Sequence, residues 1–290
     1  NKKMREIIPD CEDSVLIAYC LDEELEKQFW FSNEKISEFW NLFGEQHDFI
    51  NLVQRKNSTA DANFNFVITH DCNMIIKAAY GSDGLYLLFE INDDSDVAWP
   101  NEYFYPHFDA VSFLIDRRPV KEIFDPKNRS LLLSPHSTIT STTKEYQCVT
   151  GTNKEKPKGF RRIIPDPWDM EPKYWKFEDA QKYLGIIVKN VKTNYFYKMQ
   201  EWFIPWSEFG QDYEPKIETR LAFSPGYNDR DVDEYLPPSF NTSGGTNKNS
   251  DALRWIQRKP KQWEFHPTEG NSVNPPYNWG EIELGPMIRY

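Results

Sequence analysis

The 290 residues carry a net charge of −11 and a hydrophobic content of 39%, with a mean hydropathy of −0.72. That length supports one large or two small domains. The acidic balance excludes a phosphate-gripping nucleic-acid protein, which needs clustered Lys and Arg. No run approaches the roughly 18 apolar residues of a membrane-spanning helix. Aromatic residues make up 16% of the chain, with 10 Trp and 15 Tyr. Most such rings serve packing in an all-β core, and the remainder suit a surface that stacks on sugars. Four cysteines (Cys11, Cys20, Cys72, Cys148) form no C-x-x-C, so neither a dithiol redox motif nor a zinc knuckle is indicated. Their three possible disulfide pairings and the all-thiol state stay open. No signal-peptide pattern is visible, because the apolar stretch Ser14–Tyr19 is short and follows Glu12 and Asp13.

In chain order, Ser14–Cys20 reads as a first strand. Leu21, Leu25 and Phe29 then recur at helical spacing, as do Ile36, Phe39, Trp40 and Phe43, with Ser32 as an N-cap and Gly44 after the end. Both stripes read as helical turns facing a core. Asn63–Thr69 alternates like a strand. Met74–Tyr80 runs into Gly81-Ser82-Asp83-Gly84, where glycines are expected to supply the positive φ of a tight turn. Leu85–Ile91 alternates as a half-buried strand, an acidic, aromatic loop follows, and Ala110–Ile115 alternates again.

Residues 117–180 are rich in Pro, Lys and Ser, with short apolar patches at Leu131–Leu133 and Ile163–Ile164. They read as a long insertion, a strand or two among loops, of the kind that often carries function. Leu184–Val191 and Asn194–Ile204 read as a hairpin about Lys192-Thr193. Pro205 stops the second strand, and a single helical turn starts there. Thr219–Pro225, Leu253–Gln257 and Glu281–Leu284 read as further strands, and Pro237–Asp251 as a polar loop. No internal repeat or composition break divides the chain, so residues 1–290 read as one domain.

Five segments then resemble, in the expected order, the family-9 carbohydrate-binding modules and their wider superfamily of secreted β-sandwiches. Gly84-Leu85-Tyr86 through Asp93 matches a strand ending in Asp, and Asp109-Ala110-Val111-Ser112-Phe113-Leu114-Ile115-Asp116 matches the family's "DSVEIFID" strand. Glu201-Trp202-Phe203-Ile204-Pro205-Trp206-Ser207-Glu208-Phe209-Gly210 resembles its "E.AIPWSALG" element. Tyr227-Asn228-Asp229-Arg230-Asp231 resembles its "VNDRDG" turn, and Trp279–Leu284 its closing strand. The resemblance implies an all-β fold: a two-sheet antiparallel sandwich, immunoglobulin-like or jelly-roll-like, with N-terminal helical turns and the middle insertion added. It also implies non-catalytic binding of a polysaccharide or oligosaccharide, outside the cytoplasm of a bacterium that degrades glycans.

Family-9 modules hold a sugar between an aromatic preceding the "DSVE" strand and one from a late loop, with the strand's Glu and an Arg reading hydroxyls. Carried onto this chain, the first aromatic falls to Trp99, Tyr103 or Tyr105, and the second to Trp263, Tyr277 or Trp279. Arg129 is the nearest candidate Arg. The Glu position holds Ser112, a departure from the pattern. Asp93, Asp94, Asp96 and Asp109 offer hard oxygen ligands for a structural calcium ion, which modules resembling this one often hold. A solvated acidic loop is the plainer reading of that cluster. Asp229–Glu234 is not an EF-hand, because Glu234 stands where the loop needs Gly.

Two rival functions belong to the same reading. A glycoside-processing enzyme would need a carboxylate pair about 5–10 Å apart, for which Glu90 and Glu201 are the strand candidates. Haem-binding sandwiches of the same superfamily use Met and His ligands, here His70, His107 or His136 with Met74, Met170 or Met199. Hydrolase and phosphate-loop motifs are absent from the sequence. Asn57, Asn128 and Asn241 sit in N-x-S/T sequons, which matter only in a eukaryotic secretory setting.

Overall fold

A computed structural model describes residues 15–30, 35–43, 50–51, 53–55, 72–93, 109–123, 144–149, 159–163, 175–176, 187–192, 197–230, 250–254 and 280–288. The sandwich is built on the hairpin of β4 (Cys72–Tyr80) and β5 (Gly84–Asp93), in which Cys72 lies opposite Asp93 and Tyr80 opposite Leu85. The hairpin's glycines are not used as the turn pattern predicts. Among the described glycines only Gly210, at φ 123°, has positive φ. Gly81 and Gly84 are needed for close approach instead. A Cβ on Gly81 would strike the Glu26 carboxylate, and one on Gly84 would strike the Ile204 carbonyl and the Phe203 ring.

The strands form one continuous sheet that folds back on itself. Its first layer is β10 (Ile187–Lys192), β11 (Tyr197–Pro205), β5 and β4, all antiparallel neighbours. The second layer runs from β12 (Arg220–Arg230) through β6 (Ala110–Asp116), β7 (Lys144–Val149) and β8 (Gly159–Ile163) to β9 (Trp175–Lys176). Two seams join the layers. At one, β1 (Val15–Cys20) pairs in parallel with both β4 and β14 (Gly280–Met287), and β14 pairs with β12. At the other, β2 (Ile50–Asn51) pairs with β4, while β3 (Val53–Arg55) pairs with β13 (Ser250–Arg254), itself a neighbour of β12. The two-layer antiparallel sandwich expected from the sequence is therefore the observed architecture.

Alternation explains the core. Leu85, Leu87, Phe89 and Ile91 of β5 meet Val111, Phe113 and Ile115 of β6 between the layers. Phe89 stacks on Phe113 with centroids 5.6 Å apart, and Trp202 meets Phe113 edge-on at 4.9 Å. Full burial of each such ring stabilises by about 1.5–3 kcal/mol. The opposite face of the first layer is covered by the N-terminal turns. Leu21, Leu25, Phe29, Phe39, Trp40 and Phe43 pack there on Ala79, Tyr86, Leu88 and Phe203. The helix α1 (Glu23–Trp30) is capped by Asp22, whose Oδ1 accepts from the Leu25 amide at 2.9 Å. The second stripe forms a 3-10 turn, Glu38–Leu42, rather than an α-helix, and Ser37 is its N-terminal flank. Ser32, Gly44 and the Asn63–Thr69 strand lie outside the described residues.

Two departures bear on function. The insertion 117–180 supplies β7, β8 and β9, so part of it is the edge of the second layer and not a decoration on it. The alternation of Tyr146 and Cys148, both fully buried in the core, is the signal that marks β7. Tyr227–Arg230, expected in a turn, continues β12 and pairs with β13.

Candidate functional site

Ser112 lies on β6 opposite Gln147 of β7 and Gly226 of β12, and Gly226 lies opposite Arg254 of β13. Its neighbours Val111 and Phe113 belong to the interlayer core, so strand alternation makes 112 a position of the outer face of the second layer. The proposed sugar-contacting rings (Trp99, Tyr103, Tyr105, Trp263, Tyr277, Trp279) and Arg129 lie outside the described residues. The segments that bear the rings are nonetheless anchored on described strands.

Residues 94–108 leave from the end of β5 at Asp93 and return at Asp109, three positions before Ser112. Residues 255–279 leave β13 at Arg254, opposite Gly226, and return to β14 at Gly280, opposite Phe223. Gly226 and Phe223 pair in turn with Ser112 and Ile115 of β6. Adjacent strands are about 4.8 Å apart, so Arg254 stands roughly 10 Å from Ser112 across β12. The first aromatic-bearing segment is thus rooted on β5 and β6, and the second on β13 and β14, both neighbours of β12, which pairs with β6.

Four buried side chains meet at the root of the first segment. Lys198 projects from β11 into the space between the layers. Its Nζ is 3.3 Å from Asp93 Oδ2 and 3.0 Å from Asp109 Oδ2. Tyr227 of β12 donates its hydroxyl hydrogen to Asp93 Oδ2 at 2.6 Å. Lys198, Asp93, Asp109 and Tyr227 are each at most 1% exposed. Of the four carboxylates considered for calcium, Asp94 and Asp96 lie outside the described residues. Asp93 and Asp109 are brought together, but around an ammonium. Among the described residues no group of three or more His, Cys, Asp or Glu is placed to hold a metal.

The carboxylates considered for glycoside chemistry lie on the opposite face of the first layer. Glu201 is fully buried beneath the N-terminal turns, 3.0 Å from Lys189 Nζ, and accepts the Trp40 indole N–H at 2.6 Å. Glu90 is held by Lys77 at 2.6 Å and by the Tyr197 hydroxyl. Met74 packs between the layers, and Met199 packs against the N-terminal turns. His70, His107, His136 and Met170 lie outside the described residues. Cys20 and Cys148 are thiols, and burial pushes both up from the usual thiol range. Sequence reasoning missed Lys198 and Tyr227. A lysine in register with the apolar β11 positions Trp202 and Ile204 was the available signal for the first.

No family model and no curated sequence matches this chain. Solved structures do. A candidate carbohydrate-binding protein from Bacteroides uniformis superposes with a TM-score of 0.51 at 9% identity, over 93% of this chain and 99% of its own. The likeness is one of fold. A family-9 carbohydrate-binding module from Caldicellulosiruptor kristjanssonii in complex with glucose gives a TM-score of 0.48 at 13% identity, over 94% of this chain and 96% of its own. A family-9 carbohydrate-binding module from the same organism in complex with cellotriose gives 0.44 at 14% identity, over 94% of each chain. Among the described residues no helix is long and apolar enough to cross a membrane.

Proposed function

We propose that this chain binds a polysaccharide or oligosaccharide without acting on it, outside the cytoplasm of a glycan-degrading bacterium. The rings would come from Trp99, Tyr103 or Tyr105 on one segment and Trp263, Tyr277 or Trp279 on the other. Ser112 and Arg129 would add polar contacts. Sugars present apolar C–H faces that stack on such rings, and hydroxyls that polar side chains then read. The observation that supports this reading is that the first aromatic-bearing segment returns to β6 three positions before Ser112, while the second leaves β13 and returns to β14, both partners of β12, whose Gly226 lies opposite Ser112. The solved structures of similar fold are consistent with it.

The replacement of the family's Glu by Ser112 removes one charged hydroxyl reader, so the glycan grip differs from the family's usual one. The test is affinity electrophoresis and calorimetry against soluble cellulose derivatives, xylan, mannan and pectin. Retardation by at least one of them is expected. Trp263→Ala or Trp279→Ala should weaken binding roughly tenfold, the equivalent of ~1.4 kcal/mol. Binding to none of these glycans would overturn the reading.

A further inference from the structure

We propose that Lys198 is a positioning residue, an internal clasp that closes the segment 94–108 by holding its two ends on one ammonium. Asp93 is the last residue of β5, and Asp109 immediately precedes β6. They are the two residues that bracket the segment in sequence. Both carboxylates reach the same Nζ, at 3.3 and 3.0 Å, from two different layers of the sandwich. Lys198 comes from β11, in the same layer as Asp93, while Tyr227 comes from β12, beside β6. The Tyr227 hydroxyl lies 3.4 Å from Lys198 Nζ as well as 2.6 Å from Asp93, so a fourth strand joins the contact.

The physical logic is that of a bridging cation. Two buried carboxylates repel unless a positive charge stands between them, and an ion is the usual solution at a loop root. Here the chain supplies the charge itself, from a strand that belongs to neither end of the loop. The segment's ends are thereby fixed relative to each other and to both layers. Fixing the ends lowers the entropy that the loop must lose when it meets a ligand, which is how pre-organisation raises affinity. The clasp stands on this geometry alone; its effect on sugar affinity rests on the carbohydrate reading above.

The test is amide hydrogen exchange on the full chain, comparing wild type with Lys198→Met and with the charge-free triple variant Asp93→Asn/Lys198→Met/Asp109→Asn. The triple variant removes the three charges of the contact together, so it keeps the comparison if the single variant does not fold. Exchange in residues 94–108 is expected to quicken by roughly tenfold or more in either variant, with residues 21–43 unchanged. Calorimetry with whichever glycan the wild type binds should show a parallel loss of affinity. If the wild type binds no glycan, the sugar reading fails and exchange alone decides the clasp. Unchanged exchange in the variants would overturn the assignment. So would wild-type protection of 94–108 that collapses in EDTA and returns with calcium, because an ion and not Lys198 would then close the loop.

Discussion

Trp40 donates its indole N–H to Glu201 at 2.6 Å, joining the N-terminal 3-10 turn to a central strand of the first layer. The same carboxylate receives the Ser37 amide at 3.3 Å and lies 3.0 Å from Lys189 Nζ. Lys189 in turn sits over the Phe29 ring, 3.9 Å from its centroid. One buried charge thus ties the 3-10 turn directly, and the helix through Lys189, to the first layer.

Trp40→Phe keeps the ring and deletes only the donor. It should lower stability by about 1–3 kcal/mol, the cost of leaving a buried acceptor short of a partner. Urea unfolding should show the midpoint falling with an unchanged slope. A loss below the noise of that measurement would mean that Lys189 and the Ser37 amide satisfy Glu201 without the indole.

The interior limits what Gly84 can become. Gly84→Ala drives a methyl group into the Ile204 carbonyl and the Phe203 ring, where β5 lies against β11. Overpacking of this kind costs about 1–3 kcal/mol, so the thermal midpoint should drop by several degrees. Neutral behaviour in a melt would show that the two strands separate more easily than their register suggests.

Phe113 is the centre of the interlayer core, with Phe89, Tyr146, Trp202 and Phe223 all within 5.8 Å of its ring centroid. Phe113→Ala should cost about 3–5 kcal/mol. Phe113→Leu should cost less, because it retains most of the volume. Denaturant titration of the pair separates cavity from chemistry.

Alkaline pH acts on two kinds of buried group with opposite sign. Burial raises the phenols of Tyr80, Tyr86 and Tyr197 above their usual range, and that of Tyr213 to about 12. The native state keeps those protons longer than the unfolded chain, so this stability is complete below pH 10 and is lost as pH climbs above it. Desolvation lowers Lys189 below the usual lysine range, opposed by Glu201. There the unfolded chain holds the proton longer, so stability rises with pH up to about 10.5. The four tyrosines should dominate above pH 10. Urea midpoints between pH 8 and 12, with tyrosinate absorbance followed alongside, should show a late fall, and Lys189→Met should remove any rise that precedes it.

The strands legible in the sequence were those with one clean face. Leu87, Phe89 and Ile91 against Val111, Phe113 and Ile115 are enough to specify two facing layers, and the observed β5 and β6 extend the expected strands by only one or two residues at an end. The edge strands β7 to β9 were hidden among Pro, Lys and Ser, because an edge need bury only one or two residues such as Tyr146 and Cys148. The helical stripe at Phe39, Trp40 and Phe43 announced burial correctly but not its geometry, since a five-residue 3-10 turn with Phe43 just after its end presents the same three rings. The candidate site was legible only as loop composition. The charge at its root was not, because Lys198 pairs with partners 105 and 89 residues away along the chain. Spacing rules cannot see such a contact.

At the first seam Leu16 lies beside Ile282 and Ala18 beside Leu284, so an early strand finds its place only against a very late one. During synthesis, β1 must wait with one open hydrogen-bonding edge until residues 280–287 leave the ribosome. Contacts this distant along the chain form slowly. The hairpin β4–β5 can assemble early, but the joining of the two layers at this seam is the final act of folding, and truncation of β14 would trap the chain just short of it.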